Sequence, residues 1–165
     1  MTTVQRVLTD DMIERIKAYF PRYPARQAVT LPALHVVNEA LRHVPLQAVV
    51  EIAELLELAP AQVQDTLSFY GFFKQDAPHG EERVWVCRSI SCHLLGSDEI
   101  LDHMRQRLGV APGETTEDGK FTLEFAECLG ACEFAPCMLA GETLQKCLTK
   151  ESVDHYLESR GVGRK

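Results

Sequence analysis

Apolar residues in the first half of the chain recur at helical spacing and are punctuated by proline and glycine. Ile13, Ile16 and Phe20 line one face of a segment that opens near Thr9-Asp10-Asp11 and closes at Pro21. Leu34, Val37, Leu41 and Val44 repeat at the same spacing up to Pro45, and Leu46, Val49, Ile52, Ala53 and Leu56 do so again. Ala59-Pro60 opens a fourth helix carrying Val63, Leu67 and Tyr70, with Gly71 placed as its C-terminal cap. Short amphipathic helices cannot each bury an apolar stripe alone, so these are expected to form a small bundle.

The pattern changes near Ala77-Pro78-His79-Gly80, which reads as a turn and divides the chain into a helical bundle (1–80) and a second domain (81–165). Arg83-Val84-Trp85-Val86-Cys87 has the β-branched and aromatic character of a strand. Ile100, Leu101, Met104 and Leu108 mark a helix ended by Gly109, and Pro112-Gly113 through Asp118-Gly119 is turn chemistry. Phe121, Leu123 and Phe125 alternate with Thr122, Glu124 and Ala126, as in a half-buried strand. Met138-Leu139-Ala140 is a short apolar stretch, and Val153, Tyr156 and Leu157 give an amphipathic tail; Gly161 to Lys165 read as frayed. Helices followed by a mixed α/β half make the fold class α+β.

Charge and composition narrow the function. The net charge of −7 disfavours a phosphate backbone as partner, so nucleic acid is not expected. No apolar run approaches the ~20 residues of a spanning helix, so no direct membrane insertion is expected. Asp10, Asp11 and Glu14 follow closely on the N-terminus, unlike a secretion signal or transit peptide, and a cytoplasmic location is the expectation. In that compartment thiols stay reduced, so the six cysteines call for a reading other than three disulfides.

Four of the six form two loop-borne pairs. Four residues separate Cys87 from Cys92 and three separate Cys128 from Cys132, each pair where a predicted strand runs out. Together they meet the ligand demand of one [2Fe–2S] cluster. Zinc is the inorganic rival, although structural zinc sites more often pair cysteines on a tight two-residue knuckle. A redox dithiol would want Cys-x-x-Cys, and a Rieske centre would want a second histidine beside the Cys128–Cys132 pair to match His93; neither is present. Cys92 falls at or just before the predicted Ile100–Leu108 helical region, where backbone N–H groups would stabilise thiolate charge. Gly130 and Ala131 let the second loop curl close and offer N–H donors. Glu127 and Glu133 beside the ligands predict a low reduction potential unless solvent screens them. Cys137 and Cys147 read as small core residues.

Three stretches resemble a known family. They are Val86-Cys87-Arg88-Ser89-Ile90-Ser91-Cys92-His93-Leu94-Leu95-Gly96, then Pro112 to Leu123, then Glu127-Cys128-Leu129-Gly130-Ala131-Cys132-Glu133-Phe134-Ala135-Pro136, with Phe69-Tyr70-Gly71-Phe72-Phe73 added from the helical half. The chain resembles the 24-kDa subunit family of NADH:quinone oxidoreductase, respiratory complex I. That resemblance implies a helical bundle followed by a thioredoxin-like α/β domain, with the cluster held by Cys87, Cys92, Cys128 and Cys132. It implies electron transfer within the NADH dehydrogenase module, beside a partner subunit that carries FMN and binds NADH. Attachment to the inner face of the membrane would then run through the complex. The chain departs from the family pattern at Gly141-Glu142, where an Asn-Asp pair is common.

Other functions remain. Similar subunits serve as the gamma or diaphorase subunit of NAD-dependent formate dehydrogenases and NAD-reducing hydrogenases, and a zinc-stabilised scaffold subunit is a different class again. Gln47 to Tyr70 mimics a DNA-binding helix-turn-helix, but no Lys or Arg lies between Pro45 and Phe73 to anchor phosphates.

Overall fold

The computed structural model describes residues 6–163. The chain forms two compact units, divided between Pro78 and His79. Gly80 sits in the second unit because its N–H donates to Thr122 Oγ1 at 2.6 Å.

The first unit contains α1 (Asp10–Lys17), α2 (Thr30–Leu41), α3 (Leu46–Leu56) and α4 (Pro60–Phe69). Thr9 caps α1 by accepting from Met12 N–H at 3.3 Å, a bond of the kind that contributes about 1 kcal/mol. The helix stops at Lys17, earlier than the apolar spacing predicts, and Phe20 falls in a separate 3₁₀ turn with Pro21. Val49, Ile52, Ala53 and Leu56 of α3 are buried with Leu34, Val37, Val63 and Leu67 in one core, while Leu46 lies in the first turn and is exposed. Val44 is buried beyond the end of α2, its N–H donating to the Lys74 carbonyl at 2.8 Å.

Gly71 is not a left-handed cap. Helix α4 ends because Tyr70 turns extended (φ −94°, ψ 97°), and Tyr70, Phe72 and Phe73 then pack as an aromatic group with His35. The left-handed positions are Arg42 (φ 62°) and Glu57 (φ 59°), at the ends of α2 and α3.

The second unit is built on a four-stranded sheet of order β2-β1-β3-β4. The strands are β1 (Glu82–Cys87), β2 (Phe121–Ala126), β3 (Met138–Ala140) and β4 (Thr143–Gln145); the helices are α5 (Ile90–Leu94), α6 (Ser97–Leu108) and α7 (Lys150–Ser159). Strands β1 and β2 run parallel, as a crossover through helices requires, and β3 and β4 are antiparallel additions. Val84, Val86, Phe121, Leu123, Met138 and Ala140 share a core with Ile100 and Met104 of α6 and with Val153 and Leu157 of α7.

The half-buried pattern expected of β2 does not hold. Thr122 and Glu124 are buried, and Phe125 is 38% exposed. The loop before β2 covers its outer edge, where Leu123 N–H donates to the Glu114 carbonyl at 3.1 Å. Glu124 tolerates burial because its Oε2 accepts from Arg83 Nε at 2.7 Å and lies 2.6 Å from Arg83 NH2. Gly161 and Val162 are not frayed: their N–H groups donate to the Glu158 and Leu157 carbonyls at 3.0 Å each, which closes α7. Arg164 and Lys165 lie outside the described residues. Among the described residues no helix is long and apolar enough to cross a membrane. The chain is thus α+β, a helical part followed by a mixed sheet with its helices.

Candidate metal centre

Parallel pairing brings the two cysteine loops together. The register runs from Glu82↔Phe121 to Cys87↔Ala126, so β1 and β2 end side by side at the same edge of the sheet. Cys87 closes β1, and Cys128 follows β2 by two residues. Arg88 N–H donates to the Ala126 carbonyl at 2.9 Å and holds the two exits against each other.

The sulfurs of Cys87, Cys92 and Cys137 lie within 4.8 Å of one another and are buried. Helix α5 turns the chain back so that Cys92, its third residue, faces Cys87. The sequence places Cys92 at or just before the start of the long helix; it lies before it, in this separate five-residue helix, and α6 begins at Ser97. Cys137 comes from the segment entering β3, where Cys87 N–H donates to its carbonyl at 3.1 Å. Its Sγ is 3.8 Å from Cys92 Sγ.

Cys128 and Cys132 are exposed and stand outside that three-sulfur group. Their loop nevertheless meets it. Leu129 and Ala131 pack on the buried cysteines. Gly130 takes φ 71°, a conformation favouring glycine, and its N–H donates to Cys128 Sγ at 3.4 Å. Cys132 then opens a short 3₁₀ turn, Cys132–Phe134. Cys147 is exposed rather than a core residue: its backbone is left-handed (φ 49°) and its N–H is tied to the Phe134 carbonyl at 2.8 Å.

The thiols differ in acidity. Burial opposes ionisation of Cys87, but donation from the Ser89 and Leu129 N–H groups and contact with Cys92 and Cys137 outweigh it, leaving its pKa below the ordinary thiol value. Burial pushes Cys92 up, with the neighbouring Cys87 sulfur adding to it. Cys137 is pushed up to about 12, by burial first and then by the Cys92 and Cys87 sulfurs. Nearby, the Arg88 guanidinium pairs with Glu127 and lies 3.8 Å from the centre of the Phe125 ring. A cation therefore offsets one of the two glutamates expected to oppose reduction.

Cys137 is buried, as a small core residue should be, but its place beside Cys87 and Cys92 was not legible in the sequence. Only the pairing of Val86 with Met138 across β1 and β3 places it beside Cys87 and Cys92. His93, by contrast, is an exposed side chain whose Nδ1 lies 2.9 Å from Asp98 Oδ2, a polar group satisfied by its neighbour.

This donor set fits a group that takes thiolates. Cysteine sulfurs concentrate at one end of the sheet, the Gly130 N–H points at one of them, and among the described residues neither histidine nor carboxylate enters the buried group. A family of thioredoxin-like [2Fe–2S] ferredoxins matches residues 16–160. The chain belongs to that family. Among its relatives, an NADH-quinone oxidoreductase subunit of Rhizobium meliloti is 38% identical over 148 residues, spanning 90% of this chain and 88% of that protein. An NADH-quinone oxidoreductase subunit of Thermus thermophilus is 32% identical over 159 residues, 94% of this chain and 87% of that protein. The resemblance read from the cysteine motifs is borne out by these relatives. The fold is shared with a chain of an NAD+-reducing [NiFe]-hydrogenase in its H2-reduced state, at a TM-score of 0.69 and 24% identity. That match covers 82% of this ferredoxin-family chain and 22% of the hydrogenase chain.

Proposed function

We propose that Cys87, Cys92, Cys128 and Cys132 hold one [2Fe–2S] cluster, and that the chain is an electron-transfer subunit in the NADH dehydrogenase module of NADH:quinone oxidoreductase. The observation that carries the reading is the parallel β1–β2 pair, which releases two cysteine loops at one end of the sheet, with Leu129 and Ala131 of the second loop packed on the buried cysteines of the first. When bound, such a cluster accepts and releases one electron at a time, the step needed after a flavin takes hydride as an electron pair. The chain's own residues supply the surroundings. Leu129 and Ala131 pack on the buried cysteines, Gly130 N–H donates to Cys128, and Arg88 sets a cation beside Glu127. FMN and NADH would reside on a partner subunit of the same complex. Support for this assembly over a formate dehydrogenase or hydrogenase comes from relatives named as NADH-quinone oxidoreductase subunits at 32% and 38% identity over most of both chains.

Iron, zinc and acid-labile sulfide analysis of anaerobically purified protein tests the reading. About two irons and two sulfides per chain, with a paramagnetic signal on reduction, are expected. Cys→Ser at each of the four positions should lower iron content and abolish or alter that signal, while Cys147→Ser should leave both unchanged. Zinc without sulfide would replace the reading with a structural metal site.

A further inference from the structure

We propose that Cys137 is a positioning residue for the cluster: its S–H donates to Cys92 Sγ and favours the reduced state, while Cys137 itself stays outside the ligand set. The inference rests on the assignment of Cys92 as a ligand.

Cys137 reaches the sulfur group from a third chain segment and is fully buried there. Its Sγ lies 3.8 Å from Cys92 Sγ, a separation at which a thiol hydrogen-bonds to sulfur. The backbone is held on both sides. Cys87 N–H donates to the Cys137 carbonyl at 3.1 Å, Leu148 N–H donates to the Pro136 carbonyl at 2.8 Å, and Met138 pairs with Val86.

Between two thiols either sulfur can be the donor. A thiolate bound to iron carries no hydrogen, so once Cys92 is a ligand the shared hydrogen can only belong to Cys137. The two motif loops already provide four thiolates, and a fifth sulfur is free to remain a thiol. Each added electron raises the negative charge on the ligand sulfurs. A donor aimed at one of them therefore stabilises the reduced form more than the oxidised form. The thiol donor is weak, but its burial removes the competing water that would mask the bond.

The test uses the full chain with its cluster assembled, comparing wild type with Cys137→Ala, Cys137→Val and Cys137→Ser. Iron, sulfide, the paramagnetic spectrum of the reduced state and the midpoint potential are measured. All three variants should keep about two irons and two sulfides. The Ala and Val variants should show a reduced-to-oxidised ratio lower by about threefold at fixed potential, or about 28 mV for one electron, and Ser should recover most of that shift. Val fills the space without a donor, so a shift shared by Ala and Val cannot be a cavity effect. A wild-type potential in both variants overturns the inference alone, as does iron loss in step with removal of Cys137, which would make it a ligand. A wild-type chain lacking sulfide, or a Cys92→Ser variant with unaltered iron content and spectrum, overturns the cluster assignment and this inference with it.

Discussion

Removing the carboxylate of Glu124 should destabilise the second unit more than any surface change. Glu124 Oε2 sits 2.7 Å from Arg83 Nε and 2.6 Å from Arg83 NH2, and the two side chains are 8% and 10% exposed. At such depth the mutual attraction offsets a large desolvation cost, and deleting one partner leaves the other's charge in a poor environment. The expected loss for Glu124→Ala is about 3 kcal/mol. Trp85, the only tryptophan, lies in β1 with the Arg83 guanidinium 4.6 Å from its ring centre, so its fluorescence reports on this sheet. With a urea dependence of about 1.5 kcal/mol per molar, the midpoint followed by Trp85 should fall by about 2 M. Replacing both residues, as Arg83→Met with Glu124→Leu, should cost about 1 kcal/mol or less, because neither charge is then buried. A Glu124→Ala midpoint within about 0.3 M of wild type would refute the argument, as would a double variant less stable than the single one.

Three further outcomes follow from the geometry. A Cβ at Gly80 would lie 2.7 Å from the Phe121 carbonyl carbon and 2.9 Å from Lys120 backbone atoms, so Gly80→Ala should cost about 2 kcal/mol in Trp85-monitored unfolding. Glu51 accepts from the Val7 and Leu8 N–H groups at 2.9 and 2.7 Å and from Gln47, and despite the upward push of burial these bonds hold its pKa below the ordinary value. Glu51→Ala should cost the helical unit about 2 kcal/mol by far-UV circular dichroism. The carboxylate's contribution is present above its unfolded pKa and fades as pH falls through the lower folded value. His103 Nε2 bonds Asp154 Oδ1 at 2.7 Å, and burial, then the Arg107 and Lys150 charges, hold its pKa below the ordinary value despite the opposing Glu151. The unfolded chain then binds a proton on His103 before the folded chain does. Stability should drop as pH falls below about 6.5, levelling off beneath the folded value, and His103→Gln should remove that part of the slope.

Helices α3 and α6 were legible in the chain because a 3.6-residue period needs only local information. So was β1, while the spacing of the two cysteine pairs raised the expectation of a four-thiolate centre. Local pattern failed where tertiary contacts decided the outcome. Glu124 looked solvent-facing by alternation, but Arg83 and the loop over β2 bury it. Gly71 looked like a cap, yet the packing of Tyr70, Phe72 and Phe73 sets the end of α4. The strongest case is Cys137, which carries no local mark of function. It becomes a neighbour of Cys87 and Cys92 only because β3 pairs antiparallel with β1, and strand pairing joins residues far apart in the chain. Residue chemistry and spacing were written in the sequence itself; which sulfurs share one buried space was decided by the register of the sheet.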